Sequence, residues 1–226
     1  AAVAQPRYDS NKKAVFDGKI GIWLFVYKEP VQRNSKNRVK GIIVTKNIQS
    51  INKDETRNMI INKVIQAIKK KWPAGSRKGK IIIQQDNTKP HCSINDELIV
   101  LESQKDGWDV QFWCQPPNSP DLNVLDLGYF NSIQALQHQN APKTIDNLIG
   151  CVEKSCIDLE SNSLTDVFLS LQLVMEQVLD CGGGNKYKLH HISKKKLRRE
   201  GRLQERIRCN ETIIELVKSI VTGEEA

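Results

Sequence analysis

Three consecutive isoleucines, Ile81 to Ile83, followed closely by a carboxylate, constrain this chain more than any other feature. In "KIIIQQDNTKPHC", Lys80 to Cys92, the apolar run has the length and β-branching of a strand buried on both faces. It ends at Asp86, with Asn87, Pro90 and His91 close behind. In open α/β sheets, groups that do chemistry gather beyond the carboxyl ends of the strands. An acid there is also an ordinary turn-former, because its side chain accepts bonds from nearby backbone N–H groups. Asp86 by itself therefore does not separate a site from a turn.

The surrounding pattern alternates strands and helices. "GKIGIWLFVYKE" predicts a strand over residues 19 to 28 after a turn at Gly18, and "KGIIVTKN" a second, with the polar basic loop "VQRNSKNRVKG" between them. Asn52 and Glu55 form a capping-box start for a helix. Its apolar stripe runs through Met59, Ile60, Val64, Ala67 and Ile68, and Pro73 stops it. After the isoleucine strand come a helix in "SINDELIVLESQKDG" and a strand in "WDVQFWC". The stiff three-proline loop "QPPNSPDLN" leads to a helix capped by Asn123. Two helices follow near residues 144–158 and 163–180, ended by "CGGGN", and a last amphipathic helix lies in "NETIIELVKSIV". The order predicts an α/β fold.

Composition narrows the setting. The longest apolar run, Ile20 to Tyr27, is too short to cross a bilayer, so no membrane partner is expected. "AAVAQPRYDS" has no basic n-region or apolar h-region and no initiator Met, which reads as a chain beginning inside a longer protein without a signal peptide. The cysteines at 92, 114, 151, 156, 181 and 209 form no CxxC pair, which favours reduced, mostly buried thiols of an intracellular protein over a zinc site. The net charge of +8 is local: residues 186–208 hold ten Lys/Arg and two Asp/Glu, and the rest of the chain carries 24 of each. Such a segment suits a polyanion, nucleic acid being the commonest. A solvated helix face or a nuclear-import signal fits the same residues.

Two further acids, Asp121 and Asp126, follow the proline-rich loop. At helical spacing Asp126 shares a face with Phe130 and Ile133, which predicts a carboxylate turned toward the packed side. There it needs a partner, and a divalent cation is one candidate.

With these residues together, "QQDNxxPH", "CQPPNSPDLNVLDLGYFNSIQALQ" and "GGGNKYK" resemble a mariner-type DNA transposase of the plant-type branch. The likeness extends to "SKNRVKG" and "AIKKKWP", and so through most of the chain. It implies an RNase H-like catalytic core, a mixed sheet flanked by helices, over residues 1–185, with a basic C-terminal segment and terminal helix over 186–226. It implies three carboxylates holding two Mg²⁺ (or Mn²⁺) ions, which cut and rejoin double-stranded DNA at transposon ends in the nucleus, through a homodimer. Hard cations bound by carboxylate oxygens suit in-line displacement at phosphorus. Matched residue by residue, the metal-binding acids are Asp86 and Asp126, while Asn87 and His91 belong to the same catalytic motif. Asp121, five residues before Asp126, matches the loop acid that shapes the turn and caps the helix. At the usual Ala position stands Thr88, with Lys89 beside it as a candidate phosphate contact. The expected DNA contacts in the tail are Lys194, Lys195, Lys196, Arg198, Arg199 and Arg202.

One departure matters. The first catalytic acid of the family lies on the first, central strand in a stretch like "H-x-D-E-K-W", and this sequence contains none. Asp9 and Asp17 lie upstream in turn-like contexts and match no catalytic position. The helix-turn-helix domains that read transposon ends are also unmatched. The expectation is thus an N-terminally truncated or decayed catalytic domain, inactive alone. The alternative is a non-catalytic, transposase-derived nuclear DNA-binding protein. A general α/β phosphatase or nuclease fits the paired acids but not the "PPNSPDLN" loop.

Overall fold

The computed structural model describes residues 1–36, 38–76, 79–137, 142–184, 186–189 and 191–222. The last residues of the expected helix after Asn123, His138 and Gln139, lie outside this set, as does Asn185 of "GGGNKYK".

The N-terminal third is built of short antiparallel ladders. Strands β1 (Ala2–Val3), β2 (Arg7–Tyr8), β3 (Ala14–Phe16) and β4 (Lys19–Gly21) pair as β1 with β4 and β2 with β3. Gly18, at φ 78, makes the turn before β4, and a Cβ there would stand 2.2 Å from the Ala4 carbonyl oxygen. The single strand expected over 19–28 is interrupted: Ile22–Phe25 lie outside any ladder, and β5 begins at Val26. β5 (Val26–Pro30) and β6 (Ile43–Asn47) form a separate antiparallel hairpin.

The helical hand of the fold comes next. α1 (Lys53–Met59) starts at a true capping box, with Asn52 Oδ1 accepting from Glu55 N at 2.9 Å and Glu55 Oε2 from Asn52 N at 3.0 Å. A π-helical stretch, Ile60–Ile65, joins it without a break to α2 (Gln66–Lys71). Ile60, Ile65 and Ile68 are buried against Phe16, Ile20 and Ile81. β7 (Ile81–Gln85) and β8 (Val110–Cys114) pair in parallel, with α3 (Glu97–Gln104) as the crossover.

β7 departs from the expectation of burial on both faces. Ile81 is 4% exposed, but Ile82 is 45% exposed. β8 covers one edge of β7, and among the described residues the other edge carries no strand. Ile81 N donates to Asp109 O and Gln115 N to Gln85 O, so alternate residues spend their backbone groups on β8. The backbone groups of Ile82 and Gln84 point the other way, into a gap of about 320 Å³. Ala1–Gln5, Ile20, Val64, Ile68, Trp72, Leu125 and Phe168 also line it.

The C-terminal half is helical. A π-helical turn, Leu125–Tyr129, opens α4 (Phe130–Gln137), followed by α5 (Ile145–Asp158) and α6 (Ser161–Asp180). Tyr129, Ile133, Cys156, Leu159 and Leu164 form their common core. Left-handed Gly182 and Gly183 end α6, with Gly183 N bonded to Val178 O at 2.8 Å. The basic tail contains a short helix that its charge pattern hid, α7 (Lys194–Arg199), and the terminal helix is α8 (Glu211–Thr222). Gln172 and Glu176 of α6 accept backbone N–H bonds from Ile207 and Asn210, so the tail returns along α6. Among the described residues no helix is long and apolar enough to cross a membrane.

Candidate functional site

The carboxyl end of β7 organises itself around Asp86. Its Oδ1 accepts from the Thr88 backbone N–H at 3.0 Å and from the Thr88 hydroxyl at 2.7 Å. His91 Nδ1 lies 2.7 Å from the same oxygen and 3.1 Å from the Asp86 carbonyl. Partial burial pushes the Asp86 carboxyl up, but the two Thr88 bonds and the charge of His91 outweigh it and hold the group below its ordinary value. The acid is therefore both turn-former and anion: Oδ1 is spent on the turn, and Oδ2 accepts no bond from the described residues. Asn87 does not face the carboxylate. Its Nδ2 donates to the Gln115 carbonyl at 2.8 Å, tying the end of β7 to the exit of β8.

Asp126 sits differently from its sequence expectation. It is exposed, and Phe130, four residues on, is itself 39% exposed. The reason is the π-helical turn, whose wider winding rotates the side chains away from α-helical register. Tyr129 becomes the buried residue in its place, 0% exposed. Asp126 Oδ2 accepts from Asn123 Nδ2 at 2.9 Å, leaving Oδ1 without a bond from the described residues. Asn123 also caps the turn, its Oδ1 accepting from Leu125 N at 3.0 Å. Asp121, expected to cap, lies in the 3₁₀ turn Pro120–Leu122 and makes no capping bond.

The two acidic segments are joined. Gln84 Nε2 donates to the Leu122 carbonyl at 2.8 Å, and Gln84 shares the gap beside β7 with Leu122, Asn123, Val124 and Leu125. Among the described residues there is no group of three or more His, Cys, Asp or Glu able to hold a metal ion. What is present is two carboxylates, each with one oxygen uncommitted by hydrogen bonds, on segments that touch. Asp9 and Asp17 are turn-formers: Asp9 Oδ1 accepts from Asn11 N and Lys13 N, and Asp17 Oδ1 from Lys19 N. The six cysteines are free, but only Cys92 and Cys156 are buried, against the expectation of mostly buried thiols.

No family, curated protein or solved structure matches this chain.

The six tail cations divide into two groups. Arg198 grips the Asp166 carboxylate of α6 through both terminal guanidinium nitrogens, and Lys194 Nζ donates to the Asp166 backbone carbonyl at 2.6 Å and to Ser170 Oγ. The hydrogen bonds to Asp166 hold Arg198 more firmly charged, whereas burial lowers the Lys194 ammonium. These two dock α7 against α6. Lys195, Lys196 and Arg199 are exposed and make no ion pair among the described residues, and Arg202 pairs with Glu200 at 3.1 Å. Sequence reasoning did not find Gln84 or Asp166, whose partners are distant in the chain. Thr88, two residues after an Asp, was detectable as an Asx-turn partner.

Proposed function

We propose that this chain is a piece of the catalytic domain of a cut-and-paste DNA transposase of the mariner type, with an RNase H-like core. The observation that carries this reading is the bare edge of β7. An acid ends that strand, and a gap separates it from the β1–β4 ladder. An antiparallel ladder on one side and a parallel ladder on the other are what remains of a mixed sheet when its central strand is taken away. The resemblance names that strand as the carrier of the first catalytic acid. The exposure of Ile82 and the outward-facing backbone of Ile82 and Gln84 suit a chain that lacks this neighbour.

Asp86 and Asp126 would each offer an uncommitted oxygen to a hard divalent cation such as Mg²⁺ or Mn²⁺. When bound, such ions neutralise charge at a phosphodiester undergoing displacement. Two carboxylates do not make a two-ion site, so the 226-residue chain alone is expected to bind metal weakly and to cut no DNA. Titration with Mn²⁺, read by electron paramagnetic resonance, tests the reading. Weak binding should be lost in both Asp86→Asn and Asp126→Asn. Equal binding by the parent and both variants would sink it.

The second reading is a non-catalytic nuclear DNA-binding protein of the same descent. Lys195, Lys196 and Arg199, exposed and without an ion pair among the described residues, favour it. It predicts salt-dependent duplex binding that survives loss of both acids and disappears when these three cations are replaced by Gln.

A further inference from the structure

The β5–β6 hairpin carries a second concentration of positive charge, outside the basic tail. Between Val31 and Ile42 the chain holds Arg33, Lys36, Arg38 and Lys40 and no Asp or Glu. All four cations are exposed, and none forms an ion pair among the described residues. In contrast, Lys46 at the foot of the hairpin is neutralised by Glu29. Like charges crowded without a counter-ion repel one another, and an arm built this way is complementary to a polyanion.

The loop that carries them is tied down. Ser35 and Arg38 exchange backbone bonds at 2.8 and 3.2 Å. Lys40 N donates to Asn34 Oδ1 at 2.7 Å, and Gly41 N to Val31 O at 2.9 Å. The foot is closed by Ile48 N on Phe25 O at 2.9 Å and fastened to α5 by Thr45 Oγ1 on Asp146. The cations thus sit on an ordered scaffold, which lowers the ordering cost of binding.

Position gives the arm its meaning. Lys71, in the last turn of α2, donates Nζ to the Lys19 carbonyl at 3.0 Å, so β4 begins where α2 ends. Cys92 Sγ donates to the Lys53 carbonyl at 3.3 Å, which sets the start of α1 beside the turn that follows Asp86. The hairpin is inserted between the exit of β4 and the start of α1. It therefore springs from the end of the fold that holds Asp86.

We infer that the β5–β6 hairpin is a duplex-DNA grip, holding phosphates of the same duplex that lies across Asp86 and Asp126. A two-stranded ribbon has the width to enter a major groove, and the exposed Val39, between Arg38 and Lys40, with Ile42 and Ile43 just beyond, offers apolar contacts to thymine methyls. The inference rests on the transposase reading for the substrate, but its test does not involve the acids or a metal.

The test is fluorescence anisotropy of a labelled 30-base-pair duplex with the full chain in EDTA, titrated with salt. The variant Arg33→Gln, Lys36→Gln, Arg38→Gln, Lys40→Gln should bind at least ~10-fold more weakly, and its slope of log affinity against log salt should flatten by roughly 2 to 4. Unchanged circular dichroism melting shows that the variant folds. The variant Lys195→Gln, Lys196→Gln, Arg199→Gln should add its own loss to this one. An unchanged affinity and slope in the hairpin variant overturns the inference. So does a loss confined to binding of polyglutamate, which would assign the arm to acidic protein surfaces. Failure of Mn²⁺ binding, with the hairpin effect intact, would count against the catalytic reading alone.

Discussion

Gln84 donates its side-chain N–H to the carbonyl of Leu122, 2.8 Å away and 38 residues further along the chain. This bond links the strand that ends in Asp86 to the loop that delivers Asp126. Each acid is set by purely local bonds, Asp86 by Thr88 and Asp126 by Asn123. The relation between them is therefore fixed by contacts such as this one, and it is the most economical place to disturb it.

Replacing Gln84 by Leu keeps the bulk and removes the donor. It leaves the Leu122 carbonyl without its partner at a half-open site, with a cost of about 1 kcal/mol in stability. Mn²⁺ affinity should fall several-fold while the melting temperature moves little. Parallel calorimetric and paramagnetic titrations separate the two effects.

The Asp86 carboxyl is held below its ordinary value, so the folded state releases that proton more readily than the unfolded chain. Its contribution to stability is present above the ordinary value of about 3.9 and is lost as pH falls through the lower, folded-state value. Thr88→Val removes the hydroxyl bond and keeps the backbone one. The Asp86 carboxyl resonance should then titrate at higher pH than in the parent, with its midpoint moving toward the unfolded value. An unmoved midpoint would mean that the hydroxyl does not hold the anion.

Asp166→Ala should loosen α7. Arg198 loses its carboxylate, while Lys194 keeps its bonds to the residue-166 carbonyl and to Ser170, so amides at the Arg198 end of residues 194–199 should exchange faster with deuterium while the core of α6 stays protected. Duplex affinity should rise, with the salt slope steeper by about 1 as the Arg198 guanidinium becomes available to phosphate. Tighter binding from a loosened helix is the opposite of what general destabilisation predicts.

Gly128 lies on the π-helical turn that carries Asp126, and a Cβ there would come within 3.0 Å of Val167 Cγ2 and 3.2 Å of Cγ1. Gly128→Ala should cost about 1–3 kcal/mol by forcing the turn off α6. Chemical denaturation measures that cost, and Val167→Ala in the same chain should recover part of it.

How much was legible beforehand depended on whether the deciding bond was local. The helix beginning at Asn52 was readable because its cap lies three residues from its partner. The parallel β7–β8 pair followed from two apolar runs separated by a helical pattern. The ladders formed by Ala2–Val3 and Arg7–Tyr8 were invisible, since "AAVAQPRYDS" has neither alternation nor a buried run and its strands are defined by their partners. The π-helical turn escaped for a related reason: Leu125 to Tyr129 carry no residue that marks wider winding, so α-helical spacing turned Asp126 the wrong way. In the tail, counting charge found the basic segment, but only the partner Asp166 distinguishes cations that anchor from cations that face solvent.

The uncovered side of β7 also has a consequence for handling the protein. Strand backbone without a neighbouring strand is an indiscriminate template, and a second molecule that enters the gap can satisfy it as readily as any cognate segment. Self-association that grows with concentration, and that falls in Ile82→Lys, is the expected outcome, with sedimentation velocity as its check.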